Sequence, residues 1–90
     1  MMSSSGGSAY EVRYDTKAAS ILEKLPFALS ERVIAKIEKA RSDPLRFFKR
    51  LIGRREFSMR VGKLRVIADI DRTQKTIDIL LLGHRKSVYR

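Results

Sequence analysis

Residues 56–71, Glu56-Phe57-Ser58-Met59-Arg60-Val61-Gly62-Lys63-Leu64-Arg65-Val66-Ile67-Ala68-Asp69-Ile70-Asp71, decide how this 90-residue chain is read. Phe57, Met59 and Val61 alternate with Ser58 and Arg60, and Leu64, Val66, Ala68 and Ile70 continue the same period of two. A period of two with apolar residues on one side is the signature of half-buried β-strands. Between the two runs stand only Gly62 and Lys63, and glycine in the first loop position suits a type II′ hairpin turn. If Val61 pairs with Leu64, Arg60 lies directly opposite Arg65 and both point away from the Phe57/Met59/Leu64/Val66 face. Like charges directly opposite on a sheet are destabilising by a fraction of a kcal/mol. The arrangement therefore reads either as a place that holds an anion or as a solvated edge carrying two hydrated arginines.

Working outward, Ile77, Ile79 and Leu81 mark a last strand, and Leu80 and Leu82 make it apolar on both faces, as expected of an interior strand. Upstream, Arg46–Arg55 lacks periodicity, is very basic and reads as a loop. Leu29, Val33, Ile37 and Ala40 form one helical stripe, and Ala18, Ile21, Leu22 and Leu25 another. Asp15-Thr16 is a plausible N-cap for the first helix, Pro26 separates the two, and Pro44 ends the second near Asp43. Tyr10, Val12 and Tyr14 alternate with Glu11 and Arg13 as one more strand. The order β-α-α-β-β-β predicts an α+β fold in which a helical hairpin covers one sheet face, followed by a short C-terminal tail. Met1–Ser8 is Gly/Ser-rich, so residues 1–9 are expected to be a disordered leader and residues 10–90 a single domain.

The chain carries 20 Lys+Arg against 10 Asp+Glu, a net charge of +10. The excess is uneven: Pro44–Arg65 holds eight basic residues and one acid, whereas Tyr10–Asp43 is close to balanced. Such a concentration points to an anionic partner, above all nucleic-acid phosphate. Lys49, Arg50, Arg54, Arg55, Lys63 and Lys86 read as phosphate contacts, which position without reading sequence. Glu56, the lone acid of the basic region, reads as a counter-ion for Arg54 or Arg55. No apolar run reaches the length of a membrane-spanning helix and no secretory signal is seen, so the expected location is the cytoplasm, away from membranes. There is no cysteine, no histidine pair, no cluster of metal ligands, no phosphate-loop glycine pattern and no Ser-His-Asp set in context. Neither a metal nor a cofactor is expected. The tail Gly83-His84-Arg85-Lys86-Ser87-Val88-Tyr89-Arg90 brings the only imidazole, a phenol and three cations into eight residues, which supplies proton donors and an aromatic surface for a base. Gly83 is expected to end the last strand.

Leu51-x-Gly53, the run Phe57–Ile67 and the ending Gly83–Arg90 together resemble the RelE/ParE superfamily of toxins, in particular its RelE-like branch. The Leu25-Pro26 junction between two short helices fits as well. The resemblance implies a compact α+β fold on a small curved antiparallel sheet and the toxin half of a type II toxin–antitoxin pair. It implies a ribosome-dependent endoribonuclease that cuts mRNA in the A site, without a metal, by attack of the ribose 2′-hydroxyl on the adjacent phosphate. A RelB-type antitoxin would block it. By position, Arg65 matches the residue that holds the scissile phosphate, Arg60 a basic residue that assists activation of the nucleophile, Arg85 the tail arginine near the leaving group, and Tyr89 the tail tyrosine that orients the mRNA base. His84 falls where relatives have a cation or a histidine, a possible catalytic position. Ser58 and Ile52 depart from the pattern, standing where basic residues are common. Two other readings stay open: a ParE-like, non-enzymatic inhibitor of DNA gyrase, and a non-toxic RNA- or ribosome-binding module.

Overall fold

The computed structural model describes residues 9–84; the expected leader up to Ser8 and the tail residues Arg85, Lys86 and Tyr89 lie outside the described residues. The elements are β1 (Glu11–Tyr14), α1 (Thr16–Lys24), α2 (Phe27–Ala40), α3 (Pro44–Phe47), β2 (Lys49–Arg50), β3 (Phe57–Val61), β4 (Leu64–Asp71) and β5 (Thr76–His84). The strands form one sheet in the order β1-β5-β4-β3-β2. Helix α1 lies against β5 and α2 against β3, so the helices cover one face and leave the other open.

The local reasons are those legible in the chain. The Asp15 carboxylate accepts from the Lys17 backbone N–H at 3.3 Å and caps α1. Pro26 occupies the N-cap of α2, whose buried stripe is Val33, Ile37 and Ala40. Met59 and Val61 of β3, Leu64, Val66 and Ala68 of β4, and Ile77, Ile79 and Leu82 of β5 meet this stripe in the core. Pro44 begins α3 rather than merely stopping α2.

Three features differ from the sequence expectation. The basic stretch before β3 is not all loop: it contains α3 and β2, and Phe48 between them is almost fully buried. A four-residue helix and a two-residue strand are too short to show a period. The sheet is mixed, because β1 runs parallel to β5 while the other pairs are antiparallel. Strand direction depends on where the helices return the chain, which alternation within a strand does not encode. Finally, Leu82 and not Leu81 enters the core. Ile67 pairs with Leu81 but Ala68 pairs with Ile79, so Leu80 is an extra residue in β5. Such a bulge shifts the side-chain phase by one and turns every later residue to the other face. Unbroken alternation from Ile77 would put His84 on the open face; the bulge puts Gly83 there, and β5 ends one residue beyond it.

A candidate nucleic-acid interface on the open sheet face

The hairpin between β3 and β4 has the predicted register: Val61 pairs with Leu64 and Arg60 with Arg65. Gly62 has φ +59° and Lys63 is not among the residues of positive φ, the sign pattern of a type II′ turn. The pair that closes a two-residue turn is hydrogen-bonded, so the next pair, Arg60/Arg65, is of the non-bonded kind. There the strands come closest and backbone groups point away from each other. Two consequences follow. The two arginines are held as near as cross-strand neighbours can be. The Arg60 carbonyl points to the outer edge of β3, which β2 does not reach, because β2 pairs only with Phe57 and Ser58. Lys36 of α2 reaches round that edge and donates to this carbonyl at 2.9 Å.

Arg65 leans diagonally along β3 and donates from Nη1 to the Ser58 hydroxyl at 3.5 Å, a long contact. Ser58 is 6% exposed, a small buried side chain at this position of β3. Across β4, Arg65 faces Gly83, which has no side chain to fill the space beside it. Lys49 pairs with Ser58 and so joins the same face. Lys36, Lys49, Arg60 and Arg65 border one depression of about 410 Å3, floored by Ser58, Met59 and Phe47. A smaller hollow beside it is lined by Arg60, Lys63 and Arg65.

The other end of the open face is electrostatically different. Asp69 lies opposite Asp78, also a like-charged cross-strand pair, but Arg13 of β1 lies next to Asp78 and bonds it at 2.9 Å. The hydrogen bond that Arg13 donates to the Asp78 carboxylate, and then the Asp78 charge, raise the Arg13 pKa. One of the two acid charges is thus offset from within the sheet. The ion pairs among the described residues are Arg13–Asp78, Arg41–Glu38 and Arg54–Glu56, and none involves Arg60, Lys49 or Lys36. Arg60, Lys49 and Lys36 thus bring positive charge with no carboxylate partner among the described residues to the hairpin end, and guanidinium groups suit phosphate oxygens because they present planar donor forks.

Of the sequence-predicted residues, Arg60, Arg65, Lys49 and Lys63 come together. Arg54 pairs with Glu56 at 3.9 Å, as expected of that acid, and borders the apolar strip Ile67/Leu81 farther along the open face. Arg50 and Arg55 stand apart, near Asp69 and Asp71, with Arg50 over the Phe57 ring at 5.1 Å. His84 pairs with Leu64 and therefore falls on the helix side of the sheet, out of phase with Arg65. Ile52 is fully exposed in the loop before β3. Sequence reasoning missed Arg32, Lys36, Lys39 and Phe47; the signal was the i, i+4, i+7 spacing of three cations beside the buried stripe of α2. Among the described residues no group of three or more His, Asp or Glu could hold a metal ion, and no helix is long and apolar enough to cross a membrane.

Helices over one face of a five-stranded mixed sheet, in the order β-α-α-β-β-β, match the fold of solved RelE toxins. A family model described as ParE toxin of type II toxin–antitoxin system, parDE, matches residues 12–89. Among solved structures, a chain of the toxin–antitoxin complex RelBE2 from Mycobacterium tuberculosis is 34% identical, with 86% of this chain and 99% of that chain covered and a TM-score of 0.76. The archaeal RelE–RelB complex from Pyrococcus horikoshii follows at 26% identity, 86% and 96% coverage and a TM-score of 0.74. The isolated RelE toxin of Escherichia coli, 20% identical over 90% of this chain and 92% of that one, shares the fold with a TM-score of 0.74. No curated protein sequence matches significantly. The chain belongs to the ParE toxin family of type II toxin–antitoxin systems, within the RelE/ParE superfamily.

Proposed function

We propose that this toxin is a ribosome-dependent endoribonuclease that cuts mRNA in the A site and is held inactive by a RelB-type antitoxin. The observation that carries the reading is the Arg60/Arg65 pair, two cations set side by side on the open face at the one turn whose geometry fixes them. Cleavage of RNA through its own 2′-hydroxyl needs three things: a proton removed from that hydroxyl, a proton given to the leaving 5′-oxygen, and stabilisation of a phosphorane more highly charged than the starting diester. The oxygen–phosphorus bond that forms closes a 2′,3′-cyclic phosphate, and the bond that breaks frees a 5′-hydroxyl. Arg65, steadied by Ser58, and Arg60 suit the third requirement, since donors already aimed at the developing charge need no reorganisation. By resemblance, Arg85 serves the leaving group and Tyr89 orients the base. Arginine is a poor general base near neutrality. The proton-removing step therefore calls on groups that mRNA in the ribosome would bring, and little cutting of free RNA is expected.

The antitoxin partner is supported by two solved relatives that are toxin–antitoxin complexes, RelBE2 and the archaeal RelE–RelB complex. A second reading, inhibition of DNA gyrase, is favoured by the parDE description of the matching family and by Ser58 in place of a cation. The test is to add the protein to ribosomes carrying a defined mRNA and map the 5′ ends, with a gyrase supercoiling assay in parallel. New ends within the A-site codon that vanish in Arg65→Ala are expected. No new ends at growth-inhibitory concentration, with supercoiling blocked, would transfer the toxin to the gyrase reading.

A further inference from the structure

The surface of α2 is segregated by charge. Beside its buried stripe Val33/Ile37/Ala40 run Arg32, Lys36 and Lys39 on one flank, while Glu31 and Glu38 lie on the other. Cations three and four apart on a helix repel mildly, and the same helix holds acids that interleaving would have placed between them. Instead the cationic flank faces the β3–β4 hairpin. The Arg32 guanidinium lies over Gly62, its nitrogens 3.6 and 3.8 Å from where a Cβ would stand. Arg32, Lys36 and Lys39 border a depression of about 370 Å3 with Phe47, Val61 and Gly62 in its walls. Lys36 and Phe47 also line the depression at Arg60 and Arg65. The two are therefore parts of one channel that leaves the open face and turns round the edge of β3. That edge is passable because β2 begins only at Lys49, opposite Ser58, and so leaves Met59–Val61 without a neighbouring strand on this side among the described residues.

We propose that this channel is a second RNA subsite, taking the nucleotides that adjoin the one held at Arg60 and Arg65. Phe47, half-buried between the two depressions, offers a face for a base, while Arg32 and Lys39 hold the flanking phosphates. Cations strung along a groove with an aromatic ring between them are the arrangement that binds single-stranded nucleic acid without regard to sequence. A small free anion would need donors converging on one point, and a duplex could not follow the turn round a strand edge. The proposal rests on the nuclease reading only for the nucleic acid at Arg60 and Arg65.

The test uses the full chain and fluorescently labelled 2′-O-methyl oligouridylates of two and six nucleotides, which cannot be cut, with anisotropy titrations across a salt series. For the double variant Arg32→Gln/Lys39→Gln the six-nucleotide affinity is expected to fall roughly tenfold and the log–log salt slope to shrink by about 1.4, two single-strand phosphate contacts at about 0.7 each. The dinucleotide affinity should not change. Phe47→Leu should weaken only the longer oligomer and leave the salt slope intact. An unchanged affinity and slope in the double variant, or no binding of the hexamer by the wild type, overturns the assignment. So does a double variant that binds RNA normally but loses the antitoxin, which would give the channel to an acidic protein segment. If the wild type binds the hexamer through these residues yet cuts no mRNA on ribosomes, the nuclease reading falls and the subsite stands.

Discussion

Replacing Gly62 by alanine tests whether the turn geometry, rather than the arginines alone, makes the site. Gly62 has φ +59° at the first central position of the turn, a sparsely populated region that costs a residue with a Cβ about 1–3 kcal/mol. The new methyl would meet nothing nearer than Arg32 at 3.6 Å, ordinary van der Waals contact, so no clash adds to that cost. Loss of glycine's freedom in the unfolded chain returns about 0.4–1 kcal/mol. The net destabilisation is about 1 kcal/mol, and for a domain of this size that lowers Tm by about 4–8 °C. Asparagine, which tolerates positive φ, should fall between glycine and alanine. Gly53 provides the control: its φ is +75° with nothing within 4 Å of the missing Cβ, and it lies in the exposed loop before β3. Gly53→Ala should lose comparable stability and keep mRNA cutting. Gly62→Ala should lose cutting beyond what its stability explains, because a turn relaxed from type II′ splays its strands and parts Arg60 from Arg65. Thermal unfolding by circular dichroism and the ribosome assay together decide the matter. A Gly62→Ala protein melting within a degree of wild type, or both variants impairing cutting equally, refutes the reasoning.

Three further outcomes are expected. Arg60→Gln removes one of two opposed cations, so at low salt it should stabilise the fold by a few tenths of a kcal/mol and abolish cutting, with the gain vanishing near 1 M salt; destabilisation at low salt would contradict the cross-strand repulsion. Burial, and then the Glu38 charge, raise the Tyr14 pKa above its ordinary value of 10.0. The native state thus keeps this proton to higher pH than the unfolded chain does, its contribution is complete below pH 10 and is lost as pH rises through the folded value, so denaturant curves of wild type and Tyr14→Phe should diverge only above pH 10. Ile79 is fully buried in β5, and Ile79→Ala should cost about 2–5 kcal/mol, a large share of the stability of a small domain, as read from the urea midpoint.

Much of this protein follows from periodicity and turn chemistry within short stretches. The β3–β4 hairpin needs only two alternating runs and one glycine, so its register, and with it the Arg60/Arg65 opposition, is determined by neighbours in the chain. The caps at Asp15 and Pro26, the buried stripe of α2 and the Arg54–Glu56 pair are local in the same sense. What tertiary structure alone decided is where separate stretches meet. The parallel seat of β1 beside β5 depends on the path of the helices. The bulge at Leu80 arises from pairing two strands, is invisible in either one, and turns Gly83 rather than His84 toward Arg65. Lys36 and Phe47 join the arginines because α2 and α3 end beside the one stretch of β3 that a two-residue β2 leaves uncovered. The charge pattern of the sequence pointed to an anionic partner; the packing of helices against a strand edge decided which cations border one groove.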